Sequence, residues 1–280
     1  MKKVVFAGCG FLGDAAAGLF FKAGWSVLGL CASEESAGRL AGRPYAVKAV
    51  DISRPFSAPP DWVRPDLVIH CASSGKGGAE AYRAVYRDGL THLLGAFQPK
   101  RIFFTGSTSV YSQADGGWVT EESPAEPDRE TGRILLEAEG IALAAGGIVA
   151  RLAGIYGPGR SVLLRKFLDG TALLEAGGHR WINQIHRDDA ATALLHLADR
   201  ADASGIYNVC DDTPCTQAQV YEWIAAFCQR ELPPSGPADM NRKRGWTSKR
   251  VSNAKLRATG WQPFYPSYRE ALPGLAILSA

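Results

Sequence analysis

The amino-acid sequence predicts an α/β protein built on a doubly wound, Rossmann-type parallel sheet, followed by a smaller C-terminal lobe. The first observation behind this prediction is a series of short, almost continuously apolar segments that alternate with helical segments. This alternation is typical of βαβ units, and strands without a polar face are typical of a sheet covered by helices on both sides. The second observation is a glycine-rich turn at residues 8–13, directly after the first apolar segment.

The strands are predicted from apolar runs with turn residues at their ends, and the helices from the longer segments between them. The first helix is expected to end at Gly24, since glycine commonly follows the last residue of a helix. The predicted strands cover residues 3–7, 25–30, 46–50, 66–70, 101–105, 148–152 and 206–209. The predicted helices cover residues 11–23, 34–40, 79–97, 130–145, 187–197 and 217–228.

Composition excludes several classes of protein. The formal net charge of +3 over 280 residues does not indicate a nucleic-acid or membrane partner. The six cysteines form no C-x-x-C pair and several lie in or beside apolar runs, so we expect buried free thiols and no metal site. The sequence contains no stretch of about 18 uncharged apolar residues, so we expect no transmembrane helix. The apolar start is broken by Gly8, Gly10 and Asp14, which argues against a signal peptide and for a cytoplasmic protein.

The glycine-rich turn predicts a nicotinamide dinucleotide site. Gly8 would permit the tight turn, Gly10 the approach of a diphosphate, and Gly13 the close packing of helix on strand. The main-chain amides of residues 8–13, Phe11 and Leu12 included, would bind the diphosphate at the positive end of the helix. The alternative is a glycine turn without a ligand.

The end of the second strand bears on the choice of cofactor. An NAD site usually has a carboxylate there for the ribose 2′-hydroxyl, but this chain has Cys31, Ala32 and Ser33. The missing carboxylate favours NADP, with Ser33 and Arg39 as candidate contacts, whereas Glu34 could shift the preference to NAD.

The regular alternation of predicted strands and helices ends after residue 155, where proline and glycine become frequent and predicted strands become sparse. Residues 1–155 are therefore predicted to form the dinucleotide-binding domain and residues 156–280 a mainly substrate-binding lobe. The predicted strand at 206–209 indicates that this lobe is interleaved with the sheet. Residues 232–245 are predicted to be a loop.

Five further segments resemble the extended short-chain dehydrogenase/reductase family, the NAD-dependent epimerase/dehydratase group. They occur in the family's order and at its separations, and the resemblance covers almost the whole chain. The segments are Val50–Ile52, His70–Ala72, Thr105–Tyr111, Arg151–Arg160 and Ile185–Ala191. The resemblance implies cofactor contacts from Asp51, Ile52, Cys71, Ala72 and Ser73, and a homodimer.

The family's Y-x-x-x-K motif is missing. In the family, the tyrosine transfers the substrate proton, and the lysine and the nicotinamide charge lower its pKa. By alignment, Thr131 occupies the tyrosine position and Leu135 the lysine position. This departure, together with Lys249–Asn253 and Tyr265–Glu270, resembles the atypical YeeZ-like subgroup, which implies cofactor binding with an unassigned reaction.

The remaining candidates for chemistry are hydroxyl groups. Ser107 and Thr108 are predicted to hold a substrate carbonyl or hydroxyl, although they could instead satisfy backbone groups at a strand end. Tyr156 is the candidate replacement proton donor, ahead of Tyr111; both could simply be packing residues. The basic residues Arg242–Arg244 and Lys249–Arg250 could clamp a substrate anion or form a solvated loop.

Two functions remain open. The first is an NAD(P)-binding, epimerase/dehydratase-like oxidoreductase with nonstandard acid/base chemistry, acting on a small polar or nucleotide-sugar-like substrate. The second is a non-catalytic NAD(P)-binding sensor or regulatory protein, which the missing tyrosine and lysine favour.

Overall fold

The computed structural model describes residues 1–75, 77–240 and 246–276. Its central sheet consists of seven parallel strands, and every predicted strand is confirmed, with small shifts at the ends. These strands are β1 (Lys3–Ala7), β2 (Ser26–Cys31), β3 (Ala46–Ala49), β4 (Leu67–His70), β5 (Ile102–Ser107), β6 (Ile148–Leu152) and β7 (Gly205–Val209).

The strand order confirms the doubly wound, Rossmann-type architecture. It runs β7-β6-β5-β4-β1-β2-β3, so the chain proceeds outward in one direction from β1 and in the other from β4. Because crossovers between parallel strands are right-handed, this reversal places the first and second sets of helices on opposite faces. A crevice forms at the carboxyl ends of β1 and β4, where ligands of such sheets bind.

Ten α-helices lie in the described residues. The predicted helix at 79–97 is a single helical segment in which two α-helices, Ala79–Tyr82 and Gly89–Phe97, flank a π-helical stretch, Arg83–Asp88. The sequence did not predict the helices Val162–Leu168, Ala254–Ala258 and Tyr268–Ala276. The helices are α1 (Phe11–Lys22), α2 (Glu34–Gly38), α3 (Ala79–Tyr82), α4 (Gly89–Phe97), α5 (Glu130–Ala144), α6 (Val162–Leu168), α7 (Arg187–Ala198), α8 (Gln217–Cys228), α9 (Ala254–Ala258) and α10 (Tyr268–Ala276).

The core lies between the sheet and its helices, with α1 packed against α7 on one side and α3 and α4 packed near α5 on the other. One ion pair is buried in it. The Arg151 guanidinium of β6 and the Glu139 carboxylate of α5 approach to 2.6 Å, and their side chains are 4% and 3% exposed. The Tyr111 ring lies 4.8 Å from the guanidinium. Both charges lose their hydration when they are buried, and only the attraction between them compensates for this cost.

The C-terminal part of the chain returns to the sheet through β7 and also forms a second apolar cluster. Most residues of this cluster come from α6, α8 and α10, and Tyr156, Ala172 and Cys215 complete it from outside these helices. Three short strand pairs lie beside it: Gly154–Tyr156 with Gln184–His186, Leu174–Glu175 with Ser235–Gly236, and Trp181–Ile182 with Cys215–Thr216. A fourth short pair, Trp118–Val119 with Arg250–Val251, contributes Val119 and Val251 to the main core instead.

Two expectations about the whole chain are checked at this level. All six cysteines lie in the described part of the chain, and each is a free thiol that is buried or half-buried. Within the described ranges, no helix has both the length and the apolar character needed to cross a bilayer.

Of the basic residues that the sequence singled out, Arg242–Arg244 lie outside the described residues, whereas Lys249 is buried.

Candidate functional site at the carboxyl edge of the sheet

The glycine turn joins β1 to α1 and brings three segments into close contact. Gly8 has φ +98°, and a Cβ atom there would lie 2.4 Å from the backbone nitrogen of Ala72. A Cβ atom at Gly13 would lie 2.1 Å from the Gly8 carbonyl oxygen. At Gly10, by contrast, a Cβ atom would meet nothing within 4 Å. Gly8 and Gly13 are therefore required by packing, whereas Gly10 leaves space in front of the helix.

The hydrogen bonds of the turn correct one part of the sequence interpretation. The N–H groups of Gly8 and Cys9 both donate to the Leu30 carbonyl, at 2.9 and 3.0 Å, so they are not available to a ligand. The first bond of α1 runs from Asp14 N–H to the Gly10 carbonyl. The amides of residues 11–13 therefore have no partner inside the helix, and these are the donors that can bind an anion.

A cleft of about 550 Å³ opens in front of this turn, at the carboxyl edge of the sheet. Its volume is in the range typical of cofactor and ligand sites. The predicted site residues that line it are Gly8, Gly10, Phe11, Leu12, Arg39, Asp51, Ile52, Cys71, Ala72, Ser73 and Ser107. The fold thus brings together most of the residues that the sequence selected, although they come from five separate segments of the chain.

The end of the cleft beyond β2 and β3 carries the charged candidates. The Asp51 carboxylate accepts hydrogen bonds from the backbone N–H and the hydroxyl of Ser53, and these bonds lower its pKa. Arg39 lines the cleft and pairs with Glu35, one turn earlier. Ser33 does not line the cleft; its hydroxyl caps α2 by accepting from Ser36 N–H.

Three thiols line the middle of the cleft: Cys9, Cys31 and Cys71. Burial raises the pKa of Cys71 to about 12 and raises the pKa values of the other two thiols. Thiols with raised pKa values are poor nucleophiles. They act here as small apolar side chains, as expected from the sequence.

Ser107 is the one predicted catalytic residue that lines the cleft. Its Oγ accepts a hydrogen bond of 3.2 Å from Ser109 N–H, so it also caps the short helical turn Thr108–Val110. Thr108 belongs to that turn, is 8% exposed, and does not line the cleft. Ser107 therefore satisfies a backbone N–H at the end of the strand and also lies where it could hold a substrate oxygen, which are the two roles that the sequence left open.

The structure does not bring Tyr156 together with Ser107. Tyr156 is 2% exposed and belongs to the second apolar cluster, where its ring centroid lies 4.8 Å from that of Tyr268 and 5.4 Å from that of His186. Burial raises the pKa of its hydroxyl far above the ordinary value, which makes it a weaker acid. Its placement therefore gives no support to the prediction of a proton donor.

A second, much smaller cavity has a volume of about 20 Å³. Thr131 and Leu135, which the sequence resemblance aligns with the family's tyrosine and lysine, both line it. Ser109, Ser112 and Thr247 also line this cavity. The two residues expected at the motif positions thus lie beside a small pocket with several hydroxyl-bearing residues.

Among the residues that line the cleft, Val85 and Tyr86 were not selected from the sequence, and Arg160 was only part of a family-like segment with no role of its own. Val85 and Tyr86 lie in the π-helical stretch, whose wider turn has no clear sequence signal. The Arg160 guanidinium lies 5.1 Å from the Phe11 ring centroid, and Arg187 lies 5.2 Å from the same ring. Two cations thus flank the N-terminus of α1, where positive potential attracts an anion.

A parallel doubly wound sheet with an open glycine turn at its switch point defines a Rossmann-type protein, and the comparisons specify the family. The model of the NAD dependent epimerase/dehydratase family matches residues 4–210. The chain therefore belongs to the NAD-dependent epimerase/dehydratase family. It is 31% identical to Protein YeeZ of Escherichia coli K12 over 243 residues, which cover 83% of this chain and 86% of that protein.

Two further relatives extend the comparison. The chain is 27% identical to a 3-diazoavenalumate denitrifying reductase of a Streptomyces species, with coverage of 97% and 99%. A solved NAD-dependent epimerase/dehydratase from Methylobacillus flagellatus superposes with a TM-score of 0.78 at 28% identity, covering 99% and 98% of the two chains. At the level of fold alone, human SDR39U1 with NADPH (TM-score 0.78, 19% identity) and MoeE5 with UDP-glucuronic acid and NAD (TM-score 0.76, 18% identity) are also similar.

Proposed function

We propose that the cleft binds a nicotinamide dinucleotide and that the chain is an oxidoreductase of the epimerase/dehydratase type. The observation that carries this proposal is the convergence of the open glycine turn, Asp51 and Ser107 on one cleft of about 550 Å³. When bound, the cofactor would supply or accept the hydride. The substrate class we infer is a small polar or nucleotide-sugar-like molecule.

The residues of the cleft fit such a cofactor. The amides of residues 11–13 would bind its diphosphate, with Arg160 adding positive charge beside Phe11. Asp51 would lie at the adenosine end, and Cys71–Ser73 would pack along the middle. Ser107, at the end of β5, would hold the substrate oxygen in reach of the reacting carbon.

We further infer a preference for NADPH over NADH. Arg39 lines the cleft, and its partner Glu35 is exposed, so the guanidinium can turn to a 2′-phosphate. Replacing Arg39 with methionine should weaken NADPH binding about tenfold and leave NADH binding nearly unchanged, since one charged hydrogen bond is worth about 1.5 kcal/mol or more. Equal losses for the two cofactors would contradict the assignment of Arg39.

Turnover is the direct test of the oxidoreductase function. The purified protein should bind NADPH or NADH in titration calorimetry and oxidise it when offered a panel of ketones and sugar nucleotides. The relative named as a Streptomyces reductase supports including reducible nitrogen compounds in the panel. Dinucleotide binding without turnover on any of these substrates would count against the proposal.

The second candidate is a dinucleotide-binding sensor without catalysis. Thr131 and Leu135 in place of the motif, and Tyr156 buried away from the cleft, favour it. The variant with both Thr131→Tyr and Leu135→Lys discriminates the two functions. Activity that appears only in this variant favours the sensor, whereas activity of the unmodified protein rules it out.

We also propose a cellular location and an oligomeric state for the protein. A cytoplasmic location suits six free thiols, because reducing compartments keep cysteines unpaired. A homodimer remains a prediction from the family resemblance, and light scattering coupled to size-exclusion chromatography tests it.

A further inference from the structure

Tyr86 carries a hydroxyl group that the proposed function does not use. The residue is 7% exposed and lines the cleft of about 550 Å³, as Ser107 does. Within the described residues, the Tyr86 hydroxyl makes no hydrogen bond, and it is not one of the enclosed polar atoms that lack a partner. An unpartnered hydroxyl that is not enclosed borders open space, and the open space beside Tyr86 is the cleft.

The tyrosines that the sequence put forward as proton donors do not have this freedom. The Tyr111 hydroxyl donates to the Asn208 side-chain oxygen at 2.9 Å, and Tyr111 is completely buried. The Tyr156 hydroxyl is enclosed in the second apolar cluster. In the part of the chain that the structure describes, Tyr86 is the only tyrosine that lines the cleft.

The π-helical stretch Arg83–Asp88 holds Tyr86 in this place. Such stretches are rare and often lie at functional sites. The His70 Nε2 is 2.9 Å from the Val85 carbonyl, and since a carbonyl can only accept, Nε2 carries the proton. The Tyr86 ring centroid lies 5.9 Å from that of His70 and 6.2 Å from that of Phe104. These contacts fix the ring and leave the hydroxyl without a structural task.

The same contacts place Tyr86 at the edge of the sheet where Ser107 lies. His70 is the last residue of β4 and pairs in register with Phe104 of β5, and Ser107 is the last residue of β5. A substrate oxygen held by Ser107 would therefore lie at the same edge as a free phenol. A phenol is a stronger acid than the aliphatic hydroxyl of serine or threonine.

We propose that Tyr86 is the catalytic proton donor of the cleft. This inference rests on the proposed function. In a reduction, the substrate carbonyl carbon gains a hydride from the reduced nicotinamide, and the electron pair of the broken π bond moves to the oxygen. That oxygen, held by Ser107, takes the proton of the Tyr86 hydroxyl. The tyrosinate then recovers a proton from water in the open cleft.

A tyrosine that only packs is the alternative. The Tyr86 ring also lies 4.9 Å from the Tyr82 ring, so it belongs to a small aromatic group. Phenylalanine at position 86 keeps the ring and removes a hydroxyl that has no hydrogen bond to lose, so the fold should be nearly unaffected. The variant Tyr86→Phe therefore separates the two roles.

Kinetics with NADPH and the panel of ketones and sugar nucleotides test the donor. Tyr86→Phe should lower kcat about 100-fold or more, the usual contribution of a general acid, and leave the affinity for NADPH nearly unchanged. Tyr82→Phe is the matched control, because Tyr82 lies one turn earlier and lines the small cavity instead of the cleft. It should keep the kcat of the wild-type protein.

The outcomes distinguish this inference from the proposed function. If the wild-type protein turns over and Tyr86→Phe keeps its kcat, Tyr86 is not the donor and the proposed function stands. No turnover by the wild-type protein overturns both.

A double variant tests whether Tyr86 and Ser107 act on one oxygen. Residues that act together in catalysis have strongly non-additive effects. The combination of Ser107→Ala with Tyr86→Phe should therefore lose much less activity than the product of the two single losses. A fully multiplicative loss would place the two groups on different atoms and overturn the proposal.

A measurement without substrate or turnover completes the test. In protein labelled with ¹³C at the Cζ of its nine tyrosines, the Tyr86 signal is the one missing in Tyr86→Phe. Addition of NADP⁺ should shift this signal. The Tyr268 signal should not move, because Tyr268 is buried in the second apolar cluster and bonded to Ser161. Binding of NADP⁺ without a shift of the Tyr86 signal would overturn the proposal.

Discussion

Replacing Gly10 with glutamate, with Gly10→Gln as its matched control, tests where the diphosphate binds. Gly10 is exposed and a Cβ atom there would meet nothing within 4 Å, so neither variant should disturb folding. The two side chains have nearly the same size and differ in charge. Any difference in binding between them therefore reports the charge of the ligand in front of α1.

The expected magnitude follows from Coulomb's law. A carboxylate on residue 10 would lie about 5 Å from a phosphate held by the amides of residues 11–13, and at an effective dielectric constant of about 20 two unit charges repel by about 3 kcal/mol. This corresponds to a loss of about 200-fold in affinity. Salt should reduce the difference, because exposed charges are screened.

Titration calorimetry with NADPH and NADH measures the effect, and thermal unfolding of both variants checks the fold. The Gly10→Gln variant should keep most of the affinity of the wild-type protein. Equal affinities of the glutamate and glutamine variants would refute the reasoning, because a diphosphate at the N-terminus of α1 cannot be indifferent to this charge.

Three further predictions concern stability, each measured by urea unfolding. Gly8→Ala should destabilise the protein by about 3 kcal/mol, because its Cβ would lie 2.4 Å from the Ala72 nitrogen at a φ of +98°; a change below about 1 kcal/mol would contradict this. Glu139→Leu should cost about 3–5 kcal/mol by leaving the Arg151 charge buried and unpaired, and adding Arg151→Met should recover most of the loss. Burial lowers the pKa of Lys249 to about 8 in the folded protein, so the unfolded chain binds more protons between pH 8 and the ordinary lysine range. Relative to Lys249→Met, the wild-type protein should therefore gain up to about 3 kcal/mol as the pH rises through this window; a constant or falling difference would exclude the lowered pKa.

The sequence alone determined the architecture and most of the residues that line the large cleft. Apolar strands between helices leave few alternatives to a covered parallel sheet, and the ends of such strands meet at one edge. Residues as far apart as Gly10, Asp51 and Ser107 could therefore be assigned to one site from their positions after successive strands. The absence of the Y-x-x-x-K motif was also evident, since no tyrosine of the chain is followed by a lysine four residues later.

Tertiary structure decided what depends on contacts between distant segments. The Leu30 carbonyl takes two of the amides that the glycine turn offers, which no pattern within residues 8–13 reveals. Tyr156 follows a sheet strand but packs into the second cluster because α10 supplies Tyr268 beside it. Lys249 becomes a buried cation because the C-terminal segment folds back over Tyr111. Local sequence sets backbone preferences, whereas burial, hydrogen-bond partners and pKa values depend on which remote residues arrive, and only the packed fold determines that.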